Sequence, residues 1–177
     1  MGMFNLNHLQ VHLRNNLILC DGWSPQVLAL RTYTNYSTSD YNGFRPNPGA
    51  AVSFQWNSPP FEVASDYLTQ PVVRRYKTLA EYSQATGQDK HSVLVDYDIF
   101  VHVTKPDMND PQRLYNPSQL DFQLKPGSVA VDAGVVLHNI NDGFTGRAPD
   151  LGAFEVGRPL PHYGPRAAAT REEPSSK

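Results

Sequence analysis

Residues 121–166 read DFQLKPGSVAVDAGVVLHNINDGFTGRAPDLGAFEVGRPLPHYGPR. Small residues alternate with larger ones in SVAVDAG, as a narrow interior requires of a strand whose side chains point alternately to its two faces. Gly134, Gly146 and Gly152 stand where the chain must bend tightly, because a residue without a Cβ tolerates such bends at no steric cost. This stretch therefore predicts short strands separated by tight turns.

The remainder of the chain shows the same short rhythm. Turn residues stand at Asn15-Asn16, in residues 40–43 (DYNG) and in residues 47–49 (NPG), where Asn, Asp and Gly tolerate left-handed backbone and Pro fixes φ. Between such turns the apolar runs are too brief for helices. The predicted strands are residues 9–13, 16–20, 27–31, 51–55, 92–95 and 128–131.

One segment has helical signals instead. Residues 78–86 read TLAEYSQAT and are followed by Gly87. Thr78 is a candidate N-cap, Glu81 follows three residues later as in a capping box, and Gly87 is a candidate C-cap. These signals predict one short helix.

Composition bounds the function classes. The 177 residues are 40% apolar and carry a formal net charge of -2, so the chain can bury a core and has no basic footprint for nucleic acid. The single Cys20 forms no intrachain disulfide, and no His/Cys cluster has zinc spacing. No apolar run approaches a membrane span, and the first residues lack the pattern of a signal peptide. The polar residues 167–177 predict a disordered tail.

The C-terminal stretch resembles the terminal segment of many bacterial right-handed parallel β-helix proteins of the pectate-lyase-like kind. Those end in a pattern of the type F-x-L-x-P-x-S-x-A-x-D-x-G, then D-x-x-G-x-x-R, then P-D-x-G-A-[YF]-E. Residues 78–101 (TLAEYSQATGQDKHSVLVDYDIFV) resemble a second segment of that family, and the two segments together cover roughly half of the chain. The matching residues are Phe122, Leu124, Pro126, Ser128, Ala130, Asp132, Gly134, Asp142, Gly146, Arg147, Pro149, Asp150, Gly152, Ala153, Phe154 and Glu155.

The resemblance implies an all-β fold, in which residues 1–166 are the C-terminal part of a right-handed parallel β-helix. Residues 92–100 and 119–136 are then expected to be parallel strands stacked coil on coil, with the helix of residues 78–86 outside the stack. A few such coils leave an open edge, so upstream coils are the expected partner if the chain is a fragment. The family also implies an extracellular location, a polysaccharide partner, and lyase or glycoside hydrolase activity in a longer chain.

The C-terminal motif carries a candidate acid-base set: Asp132, Arg147, Asp150 and Glu155. Paired carboxylates with an arginine can perform acid-base chemistry. Carboxylates beside glycines at a chain end more commonly accept hydrogen bonds from backbone N–H groups or pair with a guanidinium. We therefore expect these four residues to form a structural cap.

Two further sets offer ligand or base chemistry. Residues 139–143 (NINDG) and 107–110 (DMND) present oxygen atoms that calcium can use, although neither has the full ligand count of a calcium loop, so calcium stays an open alternative to no cofactor. Lys90-His91 and Arg74-Arg75 can supply a base and a cation for proton abstraction beside a uronate carboxylate. Solvated turn residues are the favoured interpretation, since nothing in the sequence brings the two pairs together.

Aromatic residues are frequent in residues 23–67, and aromatic rings can stack on sugars as well as pack in a core. Tyr41, Arg45 and Trp56 lie among turn residues, so we expect them to form an exposed carbohydrate-contacting face. Two hypotheses follow. The chain is either the end of a carbohydrate-active enzyme that is inactive alone, or a non-catalytic carbohydrate-binding or structural module.

Overall fold

The computed structural model describes residues 3–22, 25–59 and 72–161. The expected tail, residues 167–177, lies outside these described residues. Within the described ranges, the 3₁₀ turns are Tyr97–Ile99 and Pro117–Gln119, and the α-helix is α1 (Leu79–Thr86). The strands of the described residues are β1 (Met3–His8), β2 (His12–Leu13), β3 (Leu17–Leu19), β4 (Leu28–Thr32), β5 (Thr38–Ser39), β6 (Gly43–Arg45), β7 (Phe54–Asn57), β8 (Arg75–Tyr76), β9 (Val93–Leu94), β10 (Phe100–His102) and β11 (Asp121–Leu124).

Parallel pairing organises the N-terminal part of the chain. β4 lies between β1 and β7, β2 pairs with β5, and β6 lies between β3 and β9, all in parallel. Two side-chain hydrogen bonds across these layers join residues 26 positions apart, His12 with Thr38 and Asn16 with Asn42. In the pairs β2–β5, β3–β6 and β4–β7, each residue therefore lies beside the residue 26 positions later.

The turns between these strands follow the sequence signals. Asn15, Tyr41 and Gly49 all have positive φ, at the three places where Asn, Asp and Gly predict turns. Five of the six predicted strands overlap a strand of the structure, each displaced or shortened at its ends. Residues 128–131 form turns instead.

The predicted regular parallel β-helix is wrong. The structure has several small sheets with mixed pairing, in which β7 pairs with β8 and β10 pairs with β11 antiparallel. The segment 119–136 was expected to be parallel strand, but its strand residues are those of β11, which ends at Leu124 shortly before Pro126. Proline has no N–H to donate to a ladder, so alternating apolar residues beyond it do not continue the strand.

The predicted helix forms with the predicted caps, but its position differs. Thr78 accepts a hydrogen bond from Glu81 N, the Glu81 side chain accepts one from Thr78 N, and Gly87 has the left-handed φ of 73°. Tyr82 of this helix is fully buried, and its ring stacks on Phe54 with centroids 5.0 Å apart. The helix therefore closes the core rather than lying outside it.

Among the residues that the structure describes, no helix is long and apolar enough to cross a membrane.

Two apolar clusters form the core of the described residues. The second cluster packs the C-terminal loops against β9, β10 and β11 and consists of Val95, Ile99, Phe100, Leu124, Ala130 and Leu151. The first cluster fills the space between the parallel layers and α1 and consists of Leu13, Cys20, Val27, Leu28, Leu30, Phe44, Phe54, Trp56 and Tyr82.

Candidate functional site

Asp150 is the centre of the C-terminal motif. It is 4% exposed, its Oδ1 accepts a hydrogen bond from Asp132 N at 2.8 Å, and its Oδ2 accepts one from Val156 N at 2.7 Å. Asp150 N donates in turn to Glu155 Oε1 at 2.8 Å. One buried carboxylate thus links the backbone at Asp132 to the backbone at Val156, which are not paired in a sheet.

Asp132 forms a second link of the same kind. Its Oδ1 accepts hydrogen bonds from Arg147 N at 2.8 Å and Ala148 N at 3.2 Å. These backbone bonds hold the pKa of the Asp132 carboxyl below its ordinary value of 3.8. A Cβ at Gly146 would collide with Asp132 Oδ1, so this close approach requires glycine there.

The predicted bonding of this motif to backbone is therefore present for three of the four residues. Arg147 differs, because its side chain is 89% exposed and its Nε lies 3.6 Å from Asp132 Oδ2. The oxygens of Asp150 already accept backbone N–H groups, and an acid-base pair needs carboxyl groups that can face a substrate. The geometry suits a structural role better than catalysis, and the cap role stays a prediction that stability measurements test.

The predicted exposure of Arg45 and Trp56 is wrong, because each is 4% exposed. Trp56 lies on β7 with its ring in the first core cluster, 6.2 Å from the ring of Tyr82. Trp23 and Tyr67, two of the other aromatic candidates, lie outside the described residues. The three residues predicted as one face are therefore not brought together at the surface.

Arg45 is buried in a charge network instead. Its Nε donates to Asp96 Oδ1 at 2.7 Å, its Nη1 donates to Cys20 O at 2.6 Å, and Asp21 Oδ1 lies 3.7 Å away. Burial raises the pKa of Asp96, but the hydrogen bonds from Arg45 and Tyr97 N and the positive charges of Arg45 and Lys105 together outweigh it, so the net pKa is lowered. Removing one partner would leave a charge uncompensated, so this network is structural.

Tyr41 belongs to a cluster that the sequence does not reveal. Its ring stacks on the ring of His91, with centroids 4.7 Å apart and planes 14° apart. His91 Nδ1 lies 2.8 Å from Asp40 Oδ2, and His91 N donates to Asp40 Oδ1 at 2.8 Å. Two residues from separate predictions, Tyr41 and His91, are therefore neighbours.

Asp40 fixes the orientation of the His91 ring. A carboxylate only accepts hydrogen bonds, so Nδ1 carries the proton and Nε2 is left as the outward nitrogen. Burial raises the pKa of the Asp40 carboxyl, but the hydrogen bonds from His91 and Tyr41 N outweigh it and lower the pKa below 3.8. The His91 side chain is 58% exposed, so much of the imidazole is accessible to solvent.

Further polar side chains extend this surface across the layers. His12 Nδ1 lies 2.8 Å from Thr38 Oγ1, and Arg14 Nη2 donates to the same oxygen at 2.9 Å. Thr38 and Asp40 are two residues apart in the chain, so the side chains bonded to Thr38 lie near those bonded to Asp40. We call this surface the polar face, and it consists of His12, Arg14, Thr38, Asp40, Tyr41 and His91.

The other predicted ligand groups do not converge. Arg75 Nε donates to Gln55 Oε1 at 3.1 Å, Arg74 donates to Ser58 O, and Lys90 is exposed. Within the described part of the chain, no three His, Cys, Asp or Glu side chains are grouped as metal ligands. Asp107 Oδ1 and Asp142 Oδ2 accept backbone N–H groups of their own loops, which leaves calcium at residues 107–110 and 139–143 without geometric support.

A pocket of about 460 Å³ lies beside the polar face. Arg14 lines it, and so do Asn16 on one side and residues of the C-terminal loops on the other. We call it the Arg14 pocket. Its further walls are Asn15, Leu137, Ile140, Asn141, Gly143, Phe144, Asp150, Gly152, Ala153, Phe154 and Glu155.

Comparisons with known proteins add no relative: no family model, no curated protein and no solved structure matches this chain. The resemblance to β-helix terminal segments therefore stays a prediction. The function has to be argued from the residues of the polar face and of the Arg14 pocket.

Proposed function

We propose that this chain binds carbohydrate through the polar face and has no polysaccharide-cleaving activity of its own. The observation that carries the proposal is the cluster of Asp40, Tyr41 and His91, in which an exposed ring is held at 2.8 Å by a carboxylate and stacked on a tyrosine. A ring held in one orientation loses little conformational entropy when a sugar packs on it.

The polar face supplies both kinds of contact that a sugar needs. The apolar C–H face of a pyranose packs on the open ring face of His91, and His91 Nε2 accepts a hydrogen bond from a sugar hydroxyl. His12 and Arg14 add donors one layer away. An aromatic surface with a few convergent polar groups is the usual composition of a ligand site.

Hydrolytic cleavage requires a second carboxyl group, which the polar face as defined does not include. Glycoside hydrolysis needs two carboxyl groups set about the scissile bond. Asp40 is the carboxylate of this face, and both of its oxygens accept hydrogen bonds from His91. Binding without hydrolysis is therefore the function that this set of groups supports best, and lyase cleavage, which needs a base and a cation, is tested by the turnover assays below.

Retention of the purified chain in gels that contain neutral or acidic polysaccharides tests binding. We expect His91→Ala and Tyr41→Ala each to lower affinity at least tenfold for the polymer that retains the wild type. His138→Ala is the matched control, because His138 is also exposed and faces an aspartate, Asp142, but at 3.9 Å. Equal retention of wild type and His91→Ala would contradict the proposal.

Turnover assays test the second half of the proposal. We expect neither unsaturated products by absorbance nor new reducing ends when the chain is incubated with pectin, alginate and neutral polymers. Clear turnover that His91→Ala abolishes would show that the polar face is an active site.

A second candidate function is structural. β1, β2 and β3 are each the edge strand of their sheet, and open edges readily pair with strands of another chain or segment. In that case the chain would associate in solution, which light scattering after size-exclusion chromatography measures, and the polar-face variants would bind polysaccharide as the wild type does.

A further inference from the structure

We propose that the Arg14 pocket is a second binding site, which takes one uncharged sugar ring. This inference rests on the proposed carbohydrate binding and names the ligand class of the adjoining site. The pocket of about 460 Å³ lies within the range of small-ligand sites and is open on one side. It is formed by two separate stretches of the chain, residues 14–16 and 137–155.

Part of the pocket lining is apolar. Ile140, Phe144 and Phe154 contribute to it, and the Ile140 side chain is 79% exposed although it is aliphatic. Leaving such a group in water costs free energy that a bound apolar surface recovers. The C–H face of a pyranose is a surface of that kind, because its hydroxyl groups point outward around the ring.

Two polar residues of the lining, Asn16 and Arg14, have hydrogen-bonding atoms that no described residue uses. Asn16 Nδ2 donates to Arg14 O and to Asn42 Oδ1, which fixes the amide and leaves Asn16 Oδ1 as an acceptor. Arg14 donates through Nη1 to Leu13 O and through Nη2 to Thr38 Oγ1, which leaves Nε as a donor. A sugar hydroxyl both donates and accepts, so it matches this pair.

The charges of the pocket favour a neutral ligand. The charged residues that line the pocket are Arg14, Asp150 and Glu155. One cation and two carboxylates leave no net positive charge on the lining, so a uronate gains no net electrostatic attraction there. The pocket therefore differs from what the resemblance to pectate-lyase-like proteins implies, which is an acidic sugar.

Arg14 joins the two sites. It lines the pocket, and it donates a hydrogen bond to Thr38 of the polar face at 2.9 Å. An oligosaccharide that packs on His91 can therefore continue past Arg14, with one ring entering the pocket. The polar face and the pocket then act as two subsites of one binding surface.

The experiment follows backbone amide shifts by NMR as methyl glycosides of glucose, galactose and mannose are added to the full chain, with galacturonate as the acidic probe. We expect saturable shifts in residues 137–155 with at least one neutral glycoside, and at least tenfold weaker binding of galacturonate. Phe154→Ala and Ile140→Ser should each weaken the neutral glycoside at least fivefold, while Leu114→Ser, which changes a 96% exposed leucine outside the pocket, should not.

Three outcomes would overturn the inference: no saturable shift in residues 137–155 with any neutral glycoside, galacturonate binding as tightly as the neutral sugar, or full binding by Ile140→Ser. His91→Ala separates the two proposals. If it binds polysaccharide like the wild type while the pocket shifts persist and depend on Phe154, the polar face fails and the pocket stands.

Discussion

The parallel layers of residues 12–57 and the loops of residues 121–161 are held together by different interactions. In the layers, backbone groups pair strand to strand and large apolar side chains such as Phe44 and Phe54 fill the interior. In the loops, the described strand is β11, and other backbone N–H groups donate to turn carbonyls or to carboxylates such as those of Asp132 and Asp150. The layers thus satisfy their backbone mainly through strand ladders, whereas the loops combine turn bonds with side-chain acceptors.

This difference has an energetic consequence. A ladder distributes its stability over many similar bonds and a large buried apolar area, each contributing little alone. A carboxylate that serves several N–H groups concentrates stability in one residue. Substitutions should therefore be severe in the layers when they remove apolar volume, and severe in the loops when they remove an acceptor.

The largest effect is expected for Phe54→Ala. Phe54 is fully buried and contacts the rings of Phe44 and Tyr82, with centroids 5.3 and 5.0 Å away. Its loss leaves a cavity between the layers and α1, so the free energy of unfolding should fall by about 3–5 kcal/mol in urea denaturation. Phe122→Ala is the control for the loops, because Phe122 is half exposed. An equal loss for both variants would remove the contrast between the regions.

An intermediate effect is expected for Asp150→Ala. This change leaves Asp132 N and Val156 N without their acceptor, so stability should fall by about 1–3 kcal/mol, as measured by urea denaturation. Asp142→Ala is the control, since Asp142 is exposed and accepts from Asn139 N in its own turn. If Asp150→Ala kept its stability but lost polysaccharide binding, Asp150 would belong to a site rather than to a cap.

How much of this the sequence predicts depends on the range of the interactions. The caps of α1 were predictable because Thr78, Glu81 and Gly87 are close in the chain and bond to one another or to adjacent backbone. The partners of Asp132 and Asp150 were predictable in kind, since a carboxylate among glycines suits backbone N–H groups. The β-helix was not a safe inference, because apolar alternation does not distinguish parallel from antiparallel neighbours.

The polar face was missed for the same reason. His91 and Asp40 are 51 positions apart, so neither residue signals the other. A trace of the register was available, because Asn16 and Asn42 repeat at 26 positions and each precedes a strand. Residues paired at that offset would have placed His12 beside Thr38. They would not have placed His91, since α1 and the residues around it intervene between those layers.

The smallest effect concerns the pH dependence of the loops, through Asp132→Asn. Asn tolerates the positive φ of 57° at this position and keeps an oxygen that can accept from Arg147 N, so the change removes mainly the charge. The pKa of Asp132 in the folded chain lies below its ordinary value of 3.8. Its stabilisation is therefore fully present above that value and is lost as the pH falls through the lowered folded pKa.

Urea denaturation at a series of pH values between about 5 and 2 measures this term. The wild type should lose more stability over that range than Asp132→Asn, with the two curves converging at the acidic end, where both side chains are neutral. Asp98→Asn is the control, because Asp98 is exposed and accepts no hydrogen bond among the described residues. Its curve should run parallel to that of the wild type. If the curve of Asp132→Asn were also parallel to that of the wild type, the charge of Asp132 would not contribute to stability. Its contribution would then come from hydrogen-bond geometry alone.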